Sequence, residues 1–436
     1  MKSKTFWSNR VWSVAVFAVI VLIGVGWQGF PGNWRPSSNA PWPADRPTYE
    51  TAASWRLGDL ELRDKRFIGL AISGGGLRAA NFGAAVMLEL HQRGLLELVD
   101  VMSGVSGGTL PIAYFALSPG KSGLFTEAAL REAFGYDFVS STVRRLFLPQ
   151  NIYRNLLTDF VKSDILVQTF DSQLFKGARF ADLKPYPKVL INATLLNNIT
   201  RFTFTDEAFN RLNSSLAQYS ISTAVSVSAA VPGLVTAVTL KRFASPPEYF
   251  HLVDGGMVDN LGIESIVEFL VRNLAGSSAV RTFPNGCVIL LVDAATGSNY
   301  TSLGSNQSNL SLKDYFVNTH VLEGSDALFL AMRERQLRSL QIRAMDETIV
   351  GIVPGLDSLG CMCEFRHIAL RHLFYVEEDE EDPDLATRVT QIPTNLQISK
   401  EDQNDLYKAA KLLVRELEVR KLLPDENLKL QCRSTP

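Results

Sequence analysis

A serine framed by glycines follows a short apolar segment and precedes a stretch with a helical pattern. The apolar segment 98–102 predicts a strand, and 109–117 predicts a helix. The residues between them are Gly104-Val105-Ser106-Gly107-Gly108, a Gly-x-Ser-x-Gly pattern. Small residues beside the serine allow a turn tight enough to expose its hydroxyl, and the following helix stabilises negative charge nearby. The sequence therefore predicts a strand–turn–helix unit with Ser106 as a candidate nucleophile.

A second turn, rich in glycine, lies between a predicted buried strand at 66–73 and a predicted helix at 79–93. It is formed by Gly74, Gly75 and Gly76, with Leu77 and Arg78 behind them. The N–H groups of such a turn, at the start of a helix, form a site for an oxyanion or a phosphate. The turn also fits a relaxed dinucleotide-binding fingerprint, but that fold expects an acidic residue at the end of the next strand. This chain has Met-Ser-Gly at 102–104 instead.

A serine hydroxyl needs a base to remove its proton, and the usual base is histidine. None of the five histidines lies in a strand-end loop with small neighbours, so we interpret all five as structural or surface residues. They are His91, His251, His320, His367 and His372.

An aspartate offers another base. Asp254 directly follows the apolar segment 249–253 and precedes Gly255 and Gly256. A residue at the end of a parallel strand lies at the carboxyl edge of the sheet, where Ser106 is also expected. An Asp-Gly pair is also a common simple turn. Just beyond it, Asp259 and Asn260 are predicted to cap the next helix.

Strands and helices alternate through the rest of the body. This alternation predicts an α/β fold, a three-layer sandwich with a mainly parallel central sheet. Further strands are predicted at 188–195, 201–205, 249–253 and 288–292, and further helices at 224–230, 263–273, 326–343 and 403–420.

Taken together, the three turns resemble the patatin-like phospholipase family. In that family a glycine-rich oxyanion loop, a Gly-x-Ser-x-Gly turn and an Asp-Gly-Gly or Asp-Gly-Ala motif occur in this order. The resemblance covers roughly 67–264 and includes the small-residue segment 226–234; Ala79 stands where the first motif often has a final glycine. It implies a patatin-like sandwich with a Ser106–Asp254 dyad that needs no histidine. It also implies an oxyanion hole at Gly74, Gly75 and Gly76, with supporting roles for Arg78, Gly104, Gly107, Gly108, Gly255 and Gly256.

The activity that this resemblance implies is hydrolysis of lipid carboxylic esters through an acyl-enzyme, with phospholipid or lysophospholipid acyl chains as substrates and no metal or organic cofactor. Arg78 would stabilise the glycine loop or meet a lipid phosphate; a solvated arginine is the alternative. Acyl transfer to an alcohol and an inactive lipid-binding module stay open. So does a nucleotide-dependent enzyme that uses 74–79 as a phosphate cradle.

The N-terminus differs from the rest of the chain. A basic tip at 1–10 precedes the uncharged apolar segment 11–27, which is about as long as a short membrane-spanning helix. A cleaved signal peptide is the alternative. Because basic residues stay on the cytoplasmic side, the body is expected to be extracytoplasmic, either membrane-anchored or secreted. The proline-rich segment 28–50 is expected to be a linker. The patatin-like catalytic domain then spans 51–436 and carries a C-terminal helical elaboration.

Charge and cysteine content narrow the partners. The formal net charge is −2, so the chain has no excess of positive charge that would attract nucleic acid. Cys287 is predicted in a buried strand, and no second cysteine pair accompanies Cys361 and Cys363 at zinc-ligand spacing. A disulfide involving Cys432 is compatible with an oxidising compartment, although the sequence does not pair the cysteines. For the helix at 326–343 we expect one face in the core and arginines in water, with a membrane-surface helix as the alternative.

Overall fold

A sheet of nine strands forms the centre of the protein in the part of the chain that the computed structural model describes. The described residues are 37–43, 51–56, 66–117, 125–157, 162–232, 235–274, 287–296, 319–339, 349–351, 363–376 and 382–419. The strands are β1 (Phe67–Ile72), β2 (Val101–Val105), β3 (Lys188–Leu195), β4 (Thr200–Thr203), β5 (Val238–Arg242), β6 (Glu248–Asp254), β7 (Cys287–Asp293), β8 (Ile349–Gly351) and β9 (Cys363–Ala369).

Helices cover the sheet and lie between its strands in sequence. They are α1 (Gly76–Gln92), α2 (Thr109–Leu117), α3 (Glu127–Phe134), α4 (Phe138–Leu146), α5 (Pro149–Leu157), α6 (Lys162–Phe170), α7 (Asp206–Arg211), α8 (Ile221–Ser228), α9 (Ile263–Leu274), α10 (Thr319–Ser339), α11 (Leu385–Thr390) and α12 (Lys400–Val419).

The strand order is β5-β6-β3-β2-β1-β7-β9-β8, and β4 pairs with β3. The five central strands β3, β2, β1, β7 and β9 are parallel to one another. Strands β4, β5, β6 and β8 pair antiparallel at the flanks. The predicted α/β sandwich with a mainly parallel central sheet is confirmed.

The centre of the sheet is buried on both faces, as its composition requires. All six residues of β1 are buried, which is typical of a parallel strand covered by helices on both sides. Leu70 and Ile72 lie in one core with Phe82 of α1, whereas Phe67 lies in a second core with Phe269 of α9. Successive side chains of the strand point to opposite faces of the sheet, so β1 contributes to two separate hydrophobic layers.

Two elements near the predicted site differ from their predicted bounds. The second strand begins at Val101, not at 98, because residues 96–98 form a 3₁₀ turn and the Asp100 carboxylate accepts the N–H of Ile68. It continues to Val105, directly before Ser106. Helix α1 begins at Gly76, three residues before its predicted start, because the carbonyl of Asn395 accepts the N–H of Leu77. Strands β5, β8 and β9 and the helices between 127 and 170 were not predicted.

The apolar segment 11–27 lies outside the described residues, so the anchor stays a prediction. Within the described ranges, no helix combines the length and apolar character needed to cross a membrane. Part of the predicted linker packs on the body: the N–H of Ser38 donates to the carbonyl of Thr239 (2.9 Å), and Asn39 and Lys241 exchange hydrogen bonds of 3.0 and 2.9 Å. The body therefore includes residues before 51, because 37–43 lie against β5.

Cys287 lies at the start of β7, buried as predicted, and forms a disulfide with Cys363 at the start of β9. The sequence did not predict this pairing. Cys361 and Cys432 lie outside the described residues, so the suggested disulfide of Cys432 is untested. The bond joins neighbouring parallel strands at their amino ends, opposite to the edge that carries Ser106.

Candidate active site

Ser106 directly follows β2 and begins the 3₁₀ turn Ser106–Gly108, which leads into α2. Its φ angle is +51°, in the left-handed region that residues other than glycine rarely adopt. Its N–H donates to Oγ of Ser228 at 2.9 Å, and Ser228 donates in turn to the carbonyl of Asn192. A strained serine on a strand–turn–helix unit, held by buried hydrogen bonds, is the arrangement that a nucleophile turn requires.

The glycines around Ser106 are required by close packing. A β-carbon at Gly107 would overlap the carbonyl oxygen of Gly76, and one at Gly108 would lie 2.5 Å from the carbonyl oxygens of Ile72 and Ser73. A β-carbon at Gly104 would lie 2.7 Å from the carbonyl oxygen of Gly108. A side chain at Gly107 or Gly108 would push the serine turn away from the glycine-rich loop and the end of β1, and one at Gly104 would distort the serine turn itself.

The glycine-rich loop lies against Ser106. A β-carbon at Gly74 would lie 3.4 Å from Cβ of Ser106. Gly75 and Gly76 have φ angles of +139° and +57°, which glycine adopts without strain. The N–H of Gly74 donates to the carbonyl of Asn260 at 2.9 Å. Gly74 was predicted as an oxyanion donor, but its N–H is occupied by this hydrogen bond. The remaining candidate donors are the N–H groups of Gly75 and Gly76.

Arg78 is buried beneath this loop. Its Nε donates to the carbonyl of Ala294 at 2.8 Å, and its Nη1 donates to the carbonyl of Ile392 at 2.6 Å. The carbonyls compensate a cation at a helix N-terminus, where its charge is otherwise unfavourable. Of the three predicted roles, loop support agrees with these contacts. The solvated arginine and the phosphate ligand do not, because the guanidinium faces the interior.

Asp254 ends β6 and is fully buried. From the sequence, Asp254 is expected to end a parallel strand, but β6 runs antiparallel to β3. Asp254 still lies level with the nucleophile turn, because it pairs with Ala193 while the neighbouring Asn192 pairs with Val105. Its Oδ1 accepts the N–H of Gly256 at 2.8 Å.

The loop after Asp254 contacts the strand that carries Ser106. A β-carbon at Gly255 would lie 2.5 Å from the carbonyl oxygen of Asn192 and 3.1 Å from Cγ1 of Val105. One at Gly256 would lie 2.8 Å from Oδ1 of Asn260. Gly255 therefore allows the aspartate loop to lie against β2 and β3, and Gly256 allows it to lie against Asn260.

Asn260 is a site residue that the sequence did not reveal as such. Asp259 caps α9 as predicted, since its Oδ2 accepts the N–H of Glu264 at 3.0 Å. Asn260 instead accepts the N–H of Gly74 and places its side-chain oxygen beside Gly256. It thereby joins the glycine-rich loop to the aspartate loop, a contact that no local pattern signals.

A second polar cluster lies at the carboxyl ends of β7 and β9, and we call it the Asp293 cluster: Asp293, Arg333, His367 and His372. Oδ2 of Asp293 accepts a hydrogen bond from Nε of Arg333 at 2.7 Å and lies 2.9 Å from Nε2 of His367. All four side chains are buried. The prediction that the arginines of the helix at 326–343 lie in water is therefore wrong for Arg333, which faces Asp293 across the core.

Burial sets the pKa values in this cluster. Burial alone would raise the pKa of Asp293, but the Arg333 guanidinium and His367 hold it well below its ordinary value. Burial lowers the pKa of His372 to about 3, with further contributions from His367 and Arg371. Burial also lowers the pKa of His367. Near neutral pH, both histidines are therefore uncharged, and they lie beside a charged Asp293–Arg333 pair.

The His367–Asp293 pair does not serve Ser106. Strands β1 and β7 lie between β2 and β9, and three strand spacings are about 14 Å. His91 is exposed, and His251 is hydrogen-bonded to Oγ1 of Thr239. Among the residues whose side chains the structure describes, Asp254 is the candidate base that the fold brings to the nucleophile turn.

The fold and the site together define an α/β protein with a serine on a strained turn beside a glycine-rich loop. Residues 70–267 match the family described as patatin-like phospholipase, and all three motifs lie within the match. This match agrees with the resemblance that the sequence motifs predicted. No curated protein matched the sequence.

A solved structure shares the fold. Human GIVD cytosolic phospholipase A2 is similar with a TM-score of 0.51 at 14% identity, over 84% of this chain and 60% of that chain. The same protein in complex with methyl gamma-linolenyl fluorophosphonate gives a TM-score of 0.47 at 13% identity, over 84% and 59%. VipD from Legionella pneumophila gives 0.33 at 11% identity, over 81% and 67%. The chain spans about three fifths of the phospholipase A2 chains, and at these identities the likeness concerns the fold alone.

Proposed function

We propose that the protein is a serine acyl hydrolase that cleaves carboxylic esters of lipids, with acyl chains of phospholipids or lysophospholipids as substrates. The observation that carries the proposal is the strained backbone of Ser106, whose φ angle is +51° and which lies against the glycine-rich loop. The pairing of β6 with β3 places Asp254 level with this serine turn. The patatin-like domain at 70–267 supports the lipid ester class.

In the proposed reaction, Asp254 accepts the proton of the Ser106 hydroxyl as its oxygen attacks the ester carbonyl. The N–H groups of Gly75 and Gly76, at the N-terminus of α1, hold the oxyanion. Asp254 then gives this proton to the oxygen of the leaving alcohol, and an acyl group stays on Ser106. The restored carboxylate takes a proton from water, which attacks the acyl group, and Asp254 returns that proton to the Ser106 oxygen as the fatty acid leaves.

The test compares the full chain with its Ser106→Ala variant on a short-chain nitrophenyl ester, on phospholipid vesicles and on a fluorophosphonate probe. The wild type is expected to release fatty acid and to bind the probe covalently, and the variant to lose both by about 10⁴-fold or more. Equal activity in the two proteins would show that Ser106 is not the nucleophile. Two inert, unlabelled but folded proteins would favour the lipid-binding module instead.

We also propose that the segment 11–27 holds the body at a membrane on its extracytoplasmic side. Its uncharged sequence behind a basic tip supports this, and the Cys287–Cys363 disulfide is typical of oxidising compartments. The test is protease accessibility of the body in intact cells, with carbonate-washed membranes for attachment. A body in the soluble secreted fraction would indicate signal cleavage, and a protease-protected body would contradict the orientation.

A further inference from the structure

The helices α4 and α5 expose a cluster of large apolar side chains. Among the described residues, nine large hydrophobic side chains are exposed, and four of them lie within residues 143–153. The four are Val143, Phe147, Leu148 and Tyr153, of which Phe147 is 65% and Tyr153 64% exposed. A soluble surface rarely concentrates apolar area in this way without a partner.

The charges of the same two helices have one sign. Residues 138–157 contain Arg144, Arg145 and Arg154 and no aspartate or glutamate. Arg144 is exposed one residue from Val143, and Arg154 is exposed beside Tyr153. Apolar and aromatic side chains interleaved with arginines match the boundary between acyl chains and anionic headgroups.

The opposite side of these helices is packed, so the exposed face is fixed. The ring of Phe138 packs edge-on against Phe170 of α6 at 5.2 Å between centroids. The buried Asn151 closes the α4–α5 turn, donating to the carbonyl of Arg145 at 2.8 Å. Helix α4 packs on α6, and α6 packs on α8, whose Ser228 holds the N–H of Ser106.

We propose that this face, formed by residues 143–154, docks the protein on an anionic lipid bilayer. Charge complementarity selects an anionic bilayer over a second copy of this basic face, which would place arginines against arginines. A docked α4–α5 face would hold the helices that pack behind Ser106 at the surface that supplies the substrate. The activity measurement of this proposal rests on the proposed function.

The experiment uses the full chain reconstituted in phosphatidylcholine vesicles with or without phosphatidylglycerol. The first readout is hydrogen exchange of residues 143–154, which needs no catalysis. Slower exchange with phosphatidylglycerol than without it supports the docking surface. Equal exchange in both vesicles, or equal protection in detergent without a bilayer, overturns it, the latter in favour of contact with a protein segment.

The second readout compares hydrolysis of vesicle lipid with hydrolysis of a soluble nitrophenyl ester. Phe147→Ser is expected to lower the vesicle rate about tenfold and to leave the ester rate unchanged. Arg144→Glu is expected to lower it about fivefold or more, in anionic vesicles alone. The matched control is Phe374→Ser, since Phe374 is 52% exposed on a different segment.

The two proposals fail in different ways. An equal loss of vesicle rate in the Phe374→Ser control, or no loss in Phe147→Ser, overturns the docking surface while the hydrolase stands. A wild type that hydrolyses neither substrate overturns the hydrolase, and hydrogen exchange then decides the docking surface alone.

Discussion

Two fully buried aspartates, Asp254 and Asp293, end strands on either side of the nucleophile turn. Asp293 is paired with the guanidinium of Arg333, whereas Asp254 accepts the N–H of Gly256 and is followed by two glycines. The same side chain at the same kind of position thus has two environments. A carboxylate paired with arginine is a structural tie, because its pKa is too low for it to accept a proton near neutral pH.

Exchanging each aspartate for asparagine tests this difference most directly. Asp254→Asn is expected to lower kcat by about 10⁴-fold, because an amide does not accept the proton of Ser106, with thermal stability kept or raised. Asp293→Asn is expected to lower stability by about 3 kcal/mol, because Arg333 loses its counter-charge in the core. Ester hydrolysis and thermal unfolding of both variants give the result. If Asp293→Asn abolishes activity in folded protein, the two sites are not separate.

The ion pair itself accounts for the next effect. Arg333→Met is expected to destabilise the fold by about 3–5 kcal/mol, since it leaves the Asp293 carboxylate charged and buried. Denaturant unfolding measures the loss, with Arg338→Met on the exposed face of α10 as the control, where a change within about 0.5 kcal/mol is expected. Adding Asp293→Asn to Arg333→Met is expected to recover part of the loss. Simple additivity of the two losses would contradict the pairing.

The histidines predict an effect that depends on pH and is smaller within any single pH unit. His372 titrates near its ordinary value of 6.5 when unfolded and at about 3 when folded, so acid protonates the unfolded chain first. Stability is therefore complete above pH 6.5 and falls as the pH drops toward 3, by about 1.4 kcal/mol per pH unit for each such histidine. His367 acts in the same direction.

Unfolding midpoints between pH 7 and 4 measure this slope. His372→Phe is expected to reduce it, because the variant removes one proton-binding group from the unfolded chain. An unchanged slope in this variant would show that His372 is not the group that titrates.

The nucleophile turn could be predicted from sequence because its pattern is local. Glycines beside Ser106 and an aspartate after an apolar segment are visible within a few residues, and their order predicted the family resemblance that the match over residues 70–267 supports. The antiparallel direction of β6 was not predictable in this way, since only its register against β3 brings Asp254 to the level of Ser106.

The supporting residues depend on long-range contacts. Arg333 lies forty residues after Asp293 in a helix whose charges suggested a solvated face. Asn260 has the sequence position of a cap, yet its carbonyl binds Gly74. In both cases the tertiary partner overrides the local pattern, and only the folded chain shows which arginine is buried and which asparagine joins two loops.

The contacts of Asn395 with Leu77 and of Ile392 with Arg78 have a consequence for biosynthesis. The glycine-rich loop is translated well before the carbonyls that hold it, because Ile392 follows Arg78 by 314 residues. A nascent chain therefore carries every residue of the proposed dyad long before the loop beside it can be completed. The proposed ester cleavage is therefore expected to begin only after residues 392–395 have been made, so shorter nascent chains are expected to be inactive.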